Sequence, residues 1–266
     1  MEEGKEQQVA EKKMKRFLLI VNCFILALGN SGGPLVMRLY FIHGGQRVWL
    51  SAFLETAGFP LMLIPLTISY IKRYRLRHHP PPSTTISITP PEKLYIISMK
   101  APIFFAAAFI GILTGLDDYL YAYGVARLPV STSSLIIASQ LGFTALFAFL
   151  LVKQKFTAFT VNAVVLLTVG AGVLAMHTSS DRPAGVSAKQ YAIGFSTTVA
   201  ASALYGFVLP SVELIYLKIK QPITYSLVME FQFVMCMFAT LFCAIGMIAN
   251  NDFKVRLIFI YFLNNI

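Results

Sequence analysis

Charge is the scarcest ingredient of this 266-residue sequence. Asp, Glu, Lys and Arg make up 13% of it, where a water-soluble domain carries about 25%. So little polar surface excludes an ordinary soluble globular protein. Cysteine is scarce too: Cys23, Cys236 and Cys243 all fall inside apolar blocks. An odd number at such positions suits small packing residues and argues against a disulfide framework. The four histidines, His43, His78, His79 and His177, lie in loops or at block ends. Neither an H-E-x-x-H set nor a nucleophile–base pair occurs, so the sequence offers an intramembrane enzyme no motif and calls for no metal or other cofactor. Acids number 12 against 22 Lys and Arg, for a net charge of +10. That excess does not indicate nucleic acid, because the cations sit in short gaps between apolar blocks and no soluble basic segment supplies a groove-reading element.

What the chain has in abundance is apolar length. Hydrophobic residues are 56% of the sequence, and mean hydropathy is +0.68. They gather into seven blocks near 17–40, 48–71, 102–126, 130–152, 158–177, 191–217 and 225–249, each about long enough to cross a bilayer as a helix. Strict alternation, the signature of membrane β-strands, is missing. The polar residues 1–16 run directly into the first block, which exceeds a signal-peptide core and lacks a small-residue cleavage site, so it reads as an uncleaved span. The fold class is therefore all-α, a polytopic membrane helix bundle in a lipid bilayer.

The cations set its orientation. With the N-terminus inside, Lys5, Lys12, Lys13, Lys15 and Arg16 are cytosolic. They are joined by Lys72, Arg73, Arg75, Arg77, Lys93, Lys100, Lys153, Lys155, Lys218 and Lys220 from later loops. Only Arg38, Arg47, Arg127, Arg182, Lys189, Lys254 and Arg256 fall at the outer ends, which satisfies the positive-inside rule. The one long loop, 72–100, contains His78-His79-Pro80-Pro81-Pro82 and a Ser/Thr/Pro stretch, and reads as a solvated linker. The apolar stretch in 255–266 is too short to cross.

Ionisable and amide groups inside spans are functional candidates by default, because the hydrocarbon penalises them. In the third span Gly111, Gly115, Asp118 and Ala122 share a stripe at about 100° per residue, and small residues at that spacing admit a neighbouring helix. Asp118 is expected to point into protein, and Asp117, beside Tyr121 and Gly124, toward a polar cavity. Pairing of both acids with Arg38, Arg47 or Arg127 remains the alternative. Aspartyl-protease chemistry needs two facing carboxyls, whereas neighbours on one helix diverge. Glu230, on a face with Ser226, Phe233 and Met237, is a candidate proton carrier or a structural hydrogen-bond acceptor. Gln140 shares a face with Phe143, Thr144 and Phe147, an amide and rings suited either to a planar heterocycle or to plain packing. Glu55 precedes Pro60 and Pro65, which can bend the second span and free carbonyls. Glu213, near Lys218, reads as interfacial. Residues 29–34, Gly-Asn-Ser-Gly-Gly-Pro, invite a break or a kink in the first span. A seven-span receptor would need its N-terminus outside, and no filter-like loop supports a channel, which leaves transport.

Three stretches carry a resemblance: GGPLVMRLYFIHGGQRVWLSAFLETAGFP (32–60), the long run from GLDDYLYAYGVARLP to VGAGVLA (115–175), and YGFVLPSVELIYLKIKQPITYSLVMEFQFVMCMFAT (205–240). The chain resembles the plant purine permeases of the drug/metabolite transporter superfamily. The resemblance implies ten helices in two inverted five-helix repeats around a central cavity. Here 17–177 would be a complete first repeat, 191–249 two helices of the second, and 250–266 an atypical end after a cytosolic tail at 1–16. It further implies proton-coupled transport of purine nucleobases, such as adenine and cytokinins, with alkaloids or pyridoxine-like vitamins as the alternative. Asp117, Asp118, Tyr121, Gln140, Glu230 and Phe233 are then the expected substrate-binding residues, and Glu230 and Asp117 the expected proton carriers. The plasma membrane is the first expected location, with tonoplast or endoplasmic reticulum as alternatives. Because family members continue with three more spans, the chain is expected to be a shortened form with little transport of its own.

Overall fold

The computed structural model describes residues 2–78, 99–177, 186–219 and 223–252. Expectations for the His-Pro loop beyond His78, for Arg182 and for 255–266 lie outside the described residues. The chain divides into two units, Met1–Gln46 and Arg47–Ile266.

The first unit is a single helix, α1 (Glu2–Ile42), which runs without interruption through Gly29–Pro34. The break that this stretch invites does not form. Pro34 removes one donor, the N–H that would reach the Asn30 carbonyl, whereas opening a turn in lipid would strand several polar groups. The helix closes at Gly44, whose φ of +88° is a conformation glycine adopts without strain. At Gly45 an added Cβ would lie 2.5 Å from the Tyr40 ring.

In the second unit every regular element among the described residues is helical. The second span is discontinuous: α2 (Val48–Thr56), a 3-10 turn at Phe59–Met62, then α3 (Leu63–His78). Pro60 accounts for the interruption, because it has no N–H to give the carbonyl of Thr56. The third span, α4 (Ala101–Val125), is unbroken and starts with Pro102 in its first turn, where a missing N–H costs nothing. The fourth is split into α5 (Val130–Ala138) and α6 (Gln140–Phe147), followed by a π turn to Val152 and a left-handed Lys153. Next come α7 (Ala158–His177), α8 (Ala188–Lys218) and α9 (Tyr225–Ala249). Ser187 and Gln190 form a reciprocal capping box at the start of α8. At the end of α9, Asn251 turns left-handed while Asp252 N–H donates to the Met247 carbonyl and Asn251 N–H to Ile248, a Schellman closure.

Six of these helical stretches are long and apolar enough to cross a membrane, and α7 adds a shorter apolar segment, Ala158–Gly170. The seven expected blocks thus all fold as helices.

Helix α4 lies between α8, α9 and α2. Its glycines set the distances. A Cβ at Gly115 would sit 2.9 Å from the Ala239 carbonyl oxygen, and one at Gly111 would run into the carbonyl of Met235. One turn apart on α4 therefore matches one turn apart on α9, in the same sense, so these two helices are parallel. Gly124 near the end of α4 meets Gly194 and Thr198 near the start of α8, so that pair is antiparallel. Both relations agree with the orientation set by the cations. Toward the start of α4 and of α9 the interior is apolar: Leu66, Ile103, Ala107, Ala108, Phe231, Phe233 and Val234 form one buried cluster.

Candidate functional site

At each interrupted span a carbonyl beside the break accepts from a hydroxyl of another helix, and the Ile136 carbonyl accepts from Ser139 as well. Thr240 Oγ of α9 donates to the Thr56 carbonyl at 2.8 Å. Ser202 Oγ of α8 donates to the Ile136 carbonyl at 3.1 Å, at the break where Ser139 separates α5 from α6. Both hydroxyls are buried. In a medium without water, such bonds substitute for the missing ladder.

The helix registers put both breaks at one depth. Thr240 is level with Leu116 on α4, from the Gly111–Met235 and Gly115–Ala239 contacts. Ser202, one turn beyond Thr198, reaches the neighbourhood of Tyr119 and Leu120, from the contact of Gly124 with Thr198. Asp117 and Asp118 lie in this same layer. Asp117 is buried, and its Oδ1 has no hydrogen-bond partner among the described residues. Asp118, on the glycine stripe, is half-buried and within electrostatic reach of Cys236 and Cys243 of α9. Both acids lie within the bundle: Asp118 is on the stripe that meets α9, and the Tyr205 hydroxyl of α8 is within electrostatic reach of both.

Glu55 completes the layer. It occupies the last turn of α2, just before the break, and the charges of Asp118 and Asp117 both reach it. Tyr121, one turn above Asp117 on α4, is half-buried and within reach of Glu55. Among the described residues no ion pair joins either aspartate to Arg127. Arg127 instead lies over the Tyr123 ring, 3.4 Å from its centroid, and donates to the Tyr123 carbonyl at 2.9 Å. Above the layer, Trp49 stacks on Tyr119 with centroids 3.9 Å apart and approaches Phe242 at 5.9 Å.

The remaining sequence candidates are placed elsewhere. Gln140 opens α6 and is half-buried. Its neighbours Phe143 and Phe147 pack on α8, against Gly206 and edge-on to Phe207 at 5.4 Å. Glu230 is fully buried and accepts from Ser226 Oγ at 3.3 Å, while Phe233 belongs to the apolar cluster and meets Phe59 edge-on at 5.9 Å. By the α4–α9 register Glu230 is level with Ala106, about 18 Å along the axis from Asp118. The structure therefore brings together Asp117, Asp118 and Tyr121, and holds Glu230 with Phe233 in a separate position toward the start of α9. Glu55, Tyr205, Thr240 and Ser202 are the members of the layer that did not stand among the site candidates. For Glu55 a signal was present, an acid just before a proline-broken turn.

Residues 17–257 match a family described as purine nucleobase transmembrane transport. The chain is similar to purine permease 3 of Arabidopsis thaliana, 55% identical over 241 residues, 91% of this chain and 66% of the relative. Against purine permease 2 of the same plant it is 52% identical over 254 residues, 96% of this chain and 68% of the relative. Probable purine permease 11 is 34% identical over 237 residues, 89% and 58% of the two chains. The chain thus spans about two thirds of the length of the first two relatives.

Proposed function

Because the chain belongs to the plant purine permease family, we propose that this multi-pass membrane protein serves the movement of purine nucleobases across the bilayer, with the acid layer as its recognition site. The observation that carries this reading is Asp117 Oδ1, buried without a hydrogen-bond partner among the described residues at the depth where two spans are broken. A purine is planar and presents ring and exocyclic N–H donors on its edge. Carboxyl groups that accept in pairs suit that edge, and the rings of Tyr121 and Tyr205 suit its faces. Adenine and cytokinins share these features, so both are substrates in this reading.

Proton coupling is part of the proposal. A carboxylate without a cation partner is costly in this setting unless it is protonated or receives donors. A proton taken up with the base meets that requirement and leaves again with it. Asp117 and Glu55 are placed for this step, and Glu230 in its separate position serves the cytosolic side. The chemistry is binding and translocation, with no covalent step.

The test is equilibrium binding of radiolabelled adenine to the purified chain in lipid nanodiscs, from acidic to neutral pH. Saturable binding that weakens as pH rises, and is displaced by a cytokinin, is the expected result. The sign follows from uptake of a proton with the base, since raising pH removes that proton from the bound state. No saturable adenine binding, with pyridoxine or an alkaloid bound instead, would transfer the site to another heterocycle.

A further inference from the structure

A cavity lies at the other end of α4 from the acid layer. It has a volume of about 550 Å³ and is bounded by Lys100, Pro102 and Ile103 at the start of α4 and by Leu214, Ile215, Lys218 and Ile219 at the end of α8. Ile103 and Asp117 are about 21 Å apart along the helix axis, so this cavity is separate from the acid layer. Its two cations come from different helices. Lys100 is the N-cap residue of α4 and Lys218 falls in the last turn of α8. Both are exposed, and neither side chain has a hydrogen bond or ion pair among the described residues. Glu213, the acid nearest Lys218 along α8, is five residues away and so about 140° around the helix, on a different face. The remaining walls are apolar, and Ile103, Ile215 and Ile219 continue into the buried cluster.

We infer that this cavity is a binding site for one anionic phospholipid of the cytosolic leaflet. Three observations converge. The orientation set by the cations puts both lysines at the cytosolic membrane surface, the leaflet that carries anionic lipids. Two ammonium groups facing one space repel each other unless an anion lies between them, and a phosphodiester supplies it. An apolar wall at the edge of the bilayer gains nothing from water but accepts an acyl chain at no loss of contact. A soluble phosphate would satisfy the lysines and leave the isoleucine wall empty, so the lipid is the occupant that uses the whole cavity.

The experiment is native mass spectrometry of the purified chain after exchange into phosphatidylcholine containing a small fraction of phosphatidylinositol or phosphatidylserine. One retained anionic lipid per chain is expected. The double variant Lys100→Gln/Lys218→Gln should lower its retention about 10- to 30-fold, and Lys100→Arg/Lys218→Arg should restore it. Ile103→Trp, which fills the cavity and leaves the charges in place, should also expel the lipid. Circular dichroism and elution as a single species establish that each variant is folded. Equal retention of phosphatidylcholine, or retention unchanged in the folded double and tryptophan variants, overturns the proposal. Displacement by glycerol phosphate as effective as that by lipid overturns it too, since the site would then hold only a soluble anion.

Discussion

Asp117 shows what a single residue reports in this molecule. Its Oδ1 is buried with no hydrogen-bond partner among the described residues, while Asp118 lies on the glycine stripe toward α9, so the two acids are not interchangeable despite their adjacency. Asp117→Asn keeps the shape and one acceptor but cannot exchange a proton. It should make adenine binding independent of pH and weaken it about tenfold, whereas Asp118→Asn should leave the pH profile sloping. A parallel loss of slope in both would mean that the pair acts as one unit. The hydroxyls offer a second measurement. Thr240→Val removes the hydroxyl from which the Thr56 carbonyl accepts, at a cost of about 1–2 kcal/mol, and Ser202→Ala should cost less, because the Ile136 carbonyl keeps its bonds from Ser139. Each should lower the melting temperature of the detergent-solubilised chain, with the helix content retained. A hydroxyl that is mere filler would show no change. The carboxylates of α4 were legible in the sequence because charge in an apolar block stands out. Thr240 and Ser202 were not, since a threonine among apolar residues gives no sign that it will meet a carbonyl from a segment far away in the chain.

At the level of helices, the sequence announced apolar blocks and prolines but not which interruptions would be realised. Pro34 and Pro60 look alike as breakers, yet α1 runs through the first and the second span stops before the other. The difference lies in what receives the freed carbonyl. At Thr56 a buried hydroxyl from α9 stands ready, and such a partner is set by tertiary packing. The split at Ser139 had no proline to announce it, and its stabilising bond comes from Ser202. Pro60→Ala restores the donor and should let α2 and α3 merge. Adenine binding should fall at least several-fold while the melting temperature stays level or rises, the usual exchange between function and stability. Binding at the original level would show that the break has no part in recognition. The Gly111–Gly115 stripe was legible from spacing alone, and its contacts with Met235 and Ala239 bear out the close approach. Gly115→Leu places side-chain atoms in the backbone of α9 and should cost well over about 2 kcal/mol, seen as loss of a monodisperse solubilised species.

For the molecule as a whole, the packing gives the relative directions of the helices, and the charge pattern proposes which side is cytosolic. The cations put the start of α4, the end of α8 and the start of α9 in the cytosol, and the packing makes α4 antiparallel to α8 and parallel to α9. Impermeant maleimide applied to sealed vesicles checks this: Lys100→Cys and Lys218→Cys should react from the same side and Arg127→Cys from the other. What sequence could not yield was depth. That the breaks, the aspartates and Glu55 share one layer follows from helix registers fixed by glycine contacts between distant segments. Cys236 sits one turn before Thr240 on α9, half-buried, holding a hydrogen bond from Gln232 and feeling Asp118, whereas Cys243 is sealed against the Gly115 carbonyl. The native chain thus carries its own reporter. A small methanethiosulfonate should modify Cys236 only while the layer communicates with water, so bound adenine should slow its chemical labelling and leave a silent Cys243 as the internal blank.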